Sequence, residues 1–501
     1  MIKKNIIANL TGKFWSMFSS FVFIPLYIKY LGFESYSIIS FTLVLVGLMA
    51  FFDGGLTATL SREFARSDNS ISDKKNILNT IETSYLLVIT IVIISIYGLS
   101  DFIAYSWLNL KEFDPYRTSF FIKIISFGIG FEMLLRLYIG GLLGLEYQMK
   151  ANKFLIAWGI IRNGLVILII LYIPTLEVFF IWQTLSTIIF AIILKFVLNK
   201  SLLGVCGFFE FNFTIKKSVL KKIMKFAGGM FLISLIASIN SQLDKVFISK
   251  FLSIETLGYY TLATSLAMLI FVVIGPVSIA SLPRFTSMVS KSKNHEAELL
   301  FKKINTFISI FAFSVMANMC FFSEELIWIW TGDKYLALET STYLPIIAVG
   351  FTMLSLQILP FNIAVANGHT KTNNLMGIIS LFFTIPGYWI SVKYFGAIGL
   401  ATVFCVLMIL QTLIFIYLIK FKFLKNLNLK TLYINQFILP LIISLIISFI
   451  FYSLSSNVVV NKLLTLIFIG FSLFTSLGLS MLIIIPKEEL KRDVTKLLKD
   501  D

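Results

Sequence analysis

The chain has 501 residues, of which 58% are hydrophobic and only 14% are charged, and its mean hydropathy is +0.90. Soluble domains carry about 25% charged residues and cannot bury this much apolar surface, so the composition excludes a soluble globular protein. The net charge of +16 does not indicate nucleic-acid binding, because the Lys and Arg residues stand between apolar runs and leave no separate basic domain.

Apolar stretches long enough to cross a membrane recur along the whole chain. A helix that crosses the hydrocarbon core needs about 20 predominantly apolar residues. The sequence therefore predicts an all-α polytopic membrane protein with about fourteen transmembrane helices. The predicted spans are 6–28, 36–60, 78–98, 118–144, 153–173, 176–196, 226–249, 257–283, 304–322, 341–366, 374–394, 397–419, 434–454 and 462–485.

The basic residues are distributed asymmetrically between the predicted loops. With the N-terminus in the cytoplasm, 30 of the 42 Lys and Arg residues fall in cytoplasmic segments, and the outer loop at 324–339 is acidic. Loops rich in Lys and Arg stay on the cytoplasmic side of a membrane. Fourteen spans then place both termini in the cytoplasm.

An internal repeat appears at an offset of about 222 residues. Six spans separate the two copies, so the repeats run parallel and imply a pseudo-twofold axis along the membrane normal. We therefore expect two six-helix bundles followed by two additional helices. The matching segments are 29–34 and 250–255, 58–64 and 279–285, 100–107 and 323–330, and the single glycines at 144 and 368.

One basic amphipathic segment connects the two predicted bundles, and a second one follows the last predicted span. Residues 214–225 place Ile215, Val219 and Ile223 on one helical face with lysines on much of the remainder, and the segment after Pro486 has a similar pattern. Such helices lie on anionic lipid, which is one expected partner. The predicted domains are an N-terminal lobe (1–200), a basic linker (201–225), a C-terminal lobe (226–425), and helices 13 and 14 with a cytoplasmic tail (426–501).

Ionisable residues inside predicted spans are the main candidates for function. Each costs a few kcal/mol in lipid, so it normally faces a bundle interior or a water-filled cavity. Two further arginines occupy equivalent repeat positions at the predicted cytoplasmic mouth. The candidates are Lys13, Asp53, Glu132, Arg136, Arg162, Asp244 and Lys245 within spans, and Arg62 and Arg284 at the mouth.

The chemistry of these residues leaves alternatives open. Glu132 and Arg136 share a helical face at i, i+4, so they either neutralise each other or line a cavity. The cations either form a cationic cavity or snorkel to the interface, and the two mouth arginines are substrate contacts or anchors. Asp53 and Asp244, like Glu132, are candidates for ion coupling or for salt bridges. A cationic cavity suits a large anionic ligand such as a diphosphate.

Several motifs resemble one known family. They are Pro-Leu-Tyr-Ile-Lys-Tyr-Leu-Gly-Phe-Glu-Ser-Tyr at 25–36, Asp-Gly-Gly-Leu at 53–56, Arg-Glu at 62–63, Asp-Lys-Val-Phe-Ile-Ser-Lys-Phe-Leu-Ser-Ile-Glu-Thr-Leu-Gly-Tyr-Tyr at 244–260, and Pro-Val-Ser-Ile-Ala-Ser-Leu-Pro-Arg at 276–284. They are similar to the bacterial O-antigen and polysaccharide flippases of the multidrug/oligosaccharidyl-lipid/polysaccharide exporter superfamily. The resemblance spans about residues 1–420.

The resemblance implies a V-shaped pair of six-helix lobes around a central cavity, in the inner membrane of a bacterial cell. It implies outward movement of an oligosaccharide linked to undecaprenyl diphosphate by alternating access. A polysaccharide polymerase and a chain-length regulator are then candidate partners. Many members of the superfamily have twelve spans, so helices 13 and 14 are a departure that brings the plan closer to the lipid II flippases.

Three alternatives remain beside the polysaccharide flippase. A lipid II flippase and a multidrug extruder share the superfamily fold, although the ligands of extruders are usually cationic. A membrane polysaccharide polymerase or ligase would need a large outer loop with catalytic residues, whereas the longest predicted outer loop has about 20 residues. The sequence shows no catalytic pattern, and its cysteines and histidines lie far apart, so we expect no catalytic residue, metal site or cofactor.

Overall fold

The architecture is that of a computed structural model, which describes Trp15, Ser19 and residues 21–66, 69–203, 215–369, 371–455 and 461–486. For residues 50, 203, 218, 222–230, 232 and 233 the description covers the backbone alone. The described chain folds into helices and contains no strand, so the all-α prediction is confirmed. Three predicted features lie outside the described residues: Lys13, the tail helix after Pro486 and most of the linker before residue 215.

The chain divides into two compact units, Met1–Gly258 and Tyr259–Asp501. The bounds of the predicted lobes and linker stay a prediction. The helices of the first unit are α1 Phe21–Leu31, α2 Phe33–Met49, α3 Leu56–Ala65, α4 Ile71–Phe102, α5 Pro115–Gly144, α6 Gln148–Gly159, α7 Val166–Ile170, α8 Leu176–Leu203 and α9 Lys217–Phe251.

The second unit contains the remaining helices, the first of which begins just before the boundary between the units. Their bounds are α10 Ile254–Ala267, α11 Ile270–Ser290, α12 Asn294–Phe321, α13 Ser323–Thr331, α14 Lys334–Ser341, α15 Leu344–Leu356, α16 Ile358–Ala366, α17 Lys371–Phe423, α18 Leu439–Ser455 and α19 Lys462–Ile484.

Ten helical stretches of the described chain are long and apolar enough to cross a membrane, by length and composition. The predicted spans 118–144 and 226–249 lie within α5 and α9. α17 holds two predicted spans on either side of Gly396, whose φ of 59° interrupts the helix. Where the chain is described, the predicted spans therefore fall mainly on helical structure, while the total of about fourteen crossings stays a prediction.

A break in the second predicted span places Asp53. The 3-10 turn Ala50–Asp53 follows α2, and the next two residues, Gly54 and Gly55, have φ values of 56° and 72°. Residues with a Cβ rarely adopt such positive φ values. The two glycines therefore allow one helix to end and α3 to begin inside the span, and Asp53 lies at this break.

Glycines also bring α5 into close contact with α3. A Cβ at Gly140 would overlap the side chain of Thr57, and a Cβ at Gly144 would overlap the backbone of Ser61. Small residues spaced four apart lie on one helical face and let two backbones approach closely in a membrane. Because Arg136 lies one turn before Gly140, this contact brings its side chain towards the break at Asp53.

α9 belongs to the first unit and packs against α2. Near its C-terminal end, the indole Nε1 of Trp107 donates to Ser249 Oγ at 3.1 Å, and Lys250 Nζ donates to the carbonyl oxygen of Ser106 at 2.7 Å. The helix is continuous from Lys217, so the described part of the predicted amphipathic linker forms its first turns.

The two helices predicted beyond the second bundle, α18 and α19, pack on α12. Hydroxyl groups join the three helices: Ser476 Oγ donates to Ser314 Oγ at 2.7 Å and to Ser444 Oγ at 3.1 Å. In the π-helical segment before α18, Gln436 Oε1 accepts a hydrogen bond from Asn305 at 2.7 Å. Small residues and polar side chains of this kind hold helices together in lipid, so α18 and α19 are part of the second unit.

Candidate substrate site

A cavity of about 220 Å³, here called the charged cavity, lies in the first unit between α2, α3, α4 and α5. Three residues predicted from sequence, Asp53, Glu132 and Arg136, meet in its wall. Tertiary packing therefore brings together charges that are as far as 83 positions apart in sequence (136 − 53). Its lining residues are Val46, Asp53, Thr57, Tyr85, Ile129, Glu132, Met133 and Arg136.

The Asp53 carboxylate is held by hydroxyl groups. Thr57 Oγ1 donates a hydrogen bond to it from the first turn of α3, and the Tyr85 hydroxyl donates a second at 2.8 Å from α4. Among the described residues, no Lys or Arg forms an ion pair with Asp53. A carboxylate with hydroxyl donors alone keeps lone pairs available, so it can accept a proton or contact a small cation.

Glu132 is shared by two arginines. Its Oε1 lies 2.7 Å from Arg136 Nη2, and its Oε2 lies 3.3 Å from Arg162 Nη1. The i, i+4 contact between Glu132 and Arg136 agrees with the sequence pattern. The contact with Arg162 comes from a helix that the sequence does not connect to α5. Because Glu132 is buried, removing it would leave two guanidinium groups without their carboxylate.

Contacts with Glu132, Gln183 and Trp158 hold the Arg162 side chain in place. It lies in the π-helical segment Ile160–Leu165, a geometry that is frequent at functional sites. Its Nε donates to Gln183 Oε1, and Gln183 Nε2 donates back to the Arg162 carbonyl oxygen at 3.0 Å. The guanidinium carbon also lies 4.8 Å from the centroid of the Trp158 ring, within the range of a cation–π contact. Arg162 therefore holds Glu132 in place.

Arg136 is the more available of the two arginines. Its side chain is 53% exposed, whereas that of Arg162 is 22% exposed. A guanidinium carries five N–H donors, and in the described part of the chain the only hydrogen bond of Arg136 is the one to Glu132. The remaining donors can serve a ligand. The four ionisable groups of this cluster, two carboxylates and two guanidiniums, balance in formal charge.

A second buried ion pair lies nearby in the first unit and was missed by the sequence reasoning. Lys195 Nζ of α8 lies 2.9 Å from Glu82 Oε1 of α4, and the Tyr138 hydroxyl donates to the same oxygen at 2.5 Å. Both charged side chains are only 6% exposed. Glu82 lies inside the predicted span 78–98, and an ionisable residue within a span is the sequence signal that could have identified this pair. Lys195 lies at the end of the predicted span 176–196, where a cytoplasmic lysine is expected and does not indicate a buried site.

Four further predicted residues that the structure describes do not line the charged cavity. Lys245 Nζ lies 3.6 Å from Asp244 Oδ1 on α9, so these neighbouring charges pair with each other. Arg62 on α3 and Arg284 on α11 are exposed. The roles predicted for these four residues stay predictions.

Buried ionisable groups around a cavity in an apolar helical protein mark the pathway of an ion or a substrate, so this fold and site define a membrane transport protein. A sequence profile described as "Polysaccharide biosynthesis protein" matches residues 2–289, and a second one described as "MatE" matches residues 230–390. The first match covers more than half of the chain. The chain belongs to the polysaccharide biosynthesis protein family, a group of transporters in the superfamily to which its motifs are similar.

A relative and two solved structures agree with this assignment. The chain is 22% identical over 401 residues to a Shigella flexneri protein named "Putative O-antigen transporter", covering 77% of this chain and 89% of that protein. The fold of this chain is similar to that of the lipid II flippase MurJ in an inward closed conformation. The TM-score is 0.74 at 18% identity, and the comparison covers 95% of this chain and 98% of MurJ. A multidrug resistance MATE family transporter in an inward-facing conformation gives a TM-score of 0.63 at 15% identity, covering 83% of this chain and 96% of the transporter.

Proposed function

We propose that this protein is a flippase that moves an oligosaccharide linked to undecaprenyl diphosphate outward across the bacterial inner membrane. The observation that carries the proposal is Arg136, a half-exposed guanidinium with unused donors in a cavity within the membrane-spanning part of the first unit. A diphosphate presents several anionic oxygens, and arginine binds such oxygens through two parallel N–H bonds.

The surrounding residues give the site a further property. Glu132 contacts both arginines and neutralises one of their two positive charges, so Asp53 across the cavity balances the other. If a cation or a proton neutralises Asp53, the cavity becomes net positive and binds an anion more tightly. We propose that this exchange couples an ion to transport. The site as a whole then favours an anionic ligand in the state in which Asp53 is neutralised.

The names of two similar proteins are consistent with this proposal. The Shigella flexneri protein is named "Putative O-antigen transporter", and MurJ is named a lipid II flippase. We propose that the charged cavity of this chain recognises the diphosphate that joins lipid to sugar. The predicted helices α18 and α19, packed on α12, fit a plan of fourteen spans. We also propose that both termini are cytoplasmic, as the distribution of Lys and Arg predicts.

The proposal is tested by expressing Arg136→Ala in the native cell after deletion of its own copy, with surface polysaccharide and membrane protein level both measured. Hydrogen bonds to charged groups contribute about 1.5–3 kcal/mol, so we expect export to fall about tenfold or more at unchanged protein level. Arg136→Lys keeps the charge but not the paired donors, and should retain part of the export.

Lys123→Ala is the matched control. Lys123 is also on α5, but its Nζ pairs with Asp101 at 3.1 Å and does not line the charged cavity. This variant should export normally. Full export by Arg136→Ala would contradict the proposed role of the cavity in anion binding.

A further inference from the structure

The second unit has a cavity of its own, of about 440 Å³, between α11, α15, α16 and α17. Its wall contains four amide side chains and three phenylalanine rings, and no lining residue is charged. We call it the amide cavity. Its lining residues are Phe271, Ser278, Leu354, Gln357, Ile358, Phe361, Asn362, Asn373, Met376, Gly377, Gln411 and Phe415.

Two of these amides are satisfied by the protein itself. Gln357 Nε2 donates to Thr412 Oγ1 at 2.8 Å, and Asn362 Nδ2 donates to the carbonyl oxygen of Ser278 at 3.0 Å and to Ser281 Oγ at 3.1 Å. These bonds join α16 to α17 and to α11, so they fix the wall of the cavity. Gln357 and Asn362 therefore have a structural reason to be amides.

The other two amides have no such reason. The Oδ1 and Nδ2 atoms of Asn373 and the Oε1 atom of Gln411 are buried and have no hydrogen-bond partner in the described chain. An unsatisfied buried polar atom destabilises a fold, so such an atom in a cavity wall is a candidate for contact with a ligand. Both side chains line the cavity, so a ligand in the cavity could supply the partners that the protein does not.

The missing partners define the ligand. Asn373 requires both an acceptor and a donor, and Gln411 requires a donor, which is the pattern that hydroxyl groups satisfy because each can donate and accept. A charged ligand is disfavoured, because an apolar and amide wall offers no opposite charge. The phenylalanine rings offer apolar faces to the C–H face of a sugar ring. A volume of about 440 Å³ is within the range of pockets for small ligands.

We propose that the amide cavity binds a neutral sugar residue of the transported oligosaccharide. This inference rests on the proposed function for the identity of the ligand, but the cavity and its unsatisfied amides are independent of the charged cavity. A hydrophobic cation, the usual ligand of a multidrug extruder, lacks the hydroxyl groups that Asn373 and Gln411 require.

Two probes separate the sugar from its carrier. The first is the free oligosaccharide released by mild acid from the lipid-linked pool of the native cell, and the second is undecaprenyl diphosphate without sugar. Binding of each to the full-length protein in lipid nanodiscs is measured by titration. We expect the wild-type protein to bind both, and the Asn373→Leu, Gln411→Leu double variant to bind the oligosaccharide at least about tenfold more weakly, because two or more hydrogen bonds of about 1 kcal/mol each are lost.

Thermal unfolding of the same variants distinguishes binding from folding. Leucine removes polar atoms that have no partner, so the double variant should unfold at the same or a higher temperature than the wild-type protein. Asn305→Leu is the matched control, since Asn305 is a buried amide bonded to Gln436 outside the cavity. It should unfold at a lower temperature and bind the oligosaccharide normally.

The outcomes are distinguishable. Unchanged oligosaccharide binding by the double variant, or binding of undecaprenyl diphosphate but not of oligosaccharide by the wild-type protein, would overturn the sugar site and leave the proposed flippase intact. Binding of the oligosaccharide without binding of undecaprenyl diphosphate would support the sugar site and contradict the proposed anion site. Tight binding of a hydrophobic cation that displaces the oligosaccharide would assign the cavity to an extruder.

Discussion

The charged cavity and the amide cavity belong to different units of the chain and differ in the chemistry of their walls. Three ionisable side chains that would be charged at neutral pH, Asp53, Glu132 and Arg136, line the charged cavity. No lining residue of the amide cavity is charged, and four of its lining side chains are amides. The two cavities therefore offer different contacts to a ligand.

This difference indicates two kinds of ligand chemistry rather than two copies of one site. Charges inside a membrane protein are costly, so the first unit retains them only where something offsets the cost. The second unit has none in its cavity wall and instead has amides, two of which have buried atoms without a hydrogen-bond partner among the described residues. We interpret the first cavity as the one for the diphosphate and a coupling ion, and the second as the one for uncharged sugar.

The largest effect is expected from Asp53→Asn. The substitution keeps the size of the side chain and removes its charge and its capacity to be neutralised by a cation. We expect binding of undecaprenyl diphosphate to be retained or tighter, while export of polysaccharide falls to the background of the deleted strain. The paired measurement is binding in nanodiscs and export in cells.

Tyr85→Phe is the control for this prediction. It removes the 2.8 Å hydrogen bond to Asp53 but leaves the carboxylate, so export should fall much less. Normal export by Asp53→Asn would show that the charge of Asp53 has no part in coupling.

The next effect is on stability, from Glu132→Ala. Removing one partner of a buried ion pair costs about 3–5 kcal/mol, since the remaining charges stay in a poor environment. We expect a large fall in the unfolding temperature in detergent and a lower protein level in the membrane. In the wall of the amide cavity, Leu354→Ala removes aliphatic carbons alone and should cost less. An unfolding temperature for Glu132→Ala equal to that of the wild-type protein would contradict the shared role of Glu132.

The sequence predicts the scaffold of both units and only part of either cavity. Hydrophobic runs give the helices, and the i, i+4 spacing gives the contact of Glu132 with Arg136, because both depend on local periodicity. The bond from Arg162 to Glu132 and the hydroxyl donors of Asp53 depend on which helices pack together, which periodicity does not specify. The amide cavity is not predicted for a different reason. Asn373 and Gln411 are uncharged, so they are not among the ionisable residues that the sequence marks as candidates.

The smallest effects concern two glycines at one repeat position. Gly144 allows α5 to contact α3, and a Cβ there would overlap the backbone of Ser61, so Gly144→Ala should destabilise the protein by about 1–3 kcal/mol. Gly368 has a φ of 68° and no atom within 4 Å of a Cβ, so Gly368→Asn should cost less than about 1 kcal/mol because asparagine tolerates this conformation. Thermal unfolding of both variants in detergent measures the difference. Equal destabilisation would mean that the two glycines serve one purpose.

Flipping by the purified protein tests the central claim most directly. The protein is reconstituted into liposomes that contain undecaprenyl-diphosphate-linked oligosaccharide with a fluorescent sugar label, and the label on the outer leaflet is quenched by a membrane-impermeant reagent. We predict that the wild-type protein moves this lipid between leaflets, that Arg136→Ala moves it at least about tenfold more slowly, and that a neutral glycolipid with the same sugars is not moved. Equal movement of the charged and neutral lipids, or movement by Arg136→Ala at the wild-type rate, would contradict a flippase that recognises the diphosphate through this arginine.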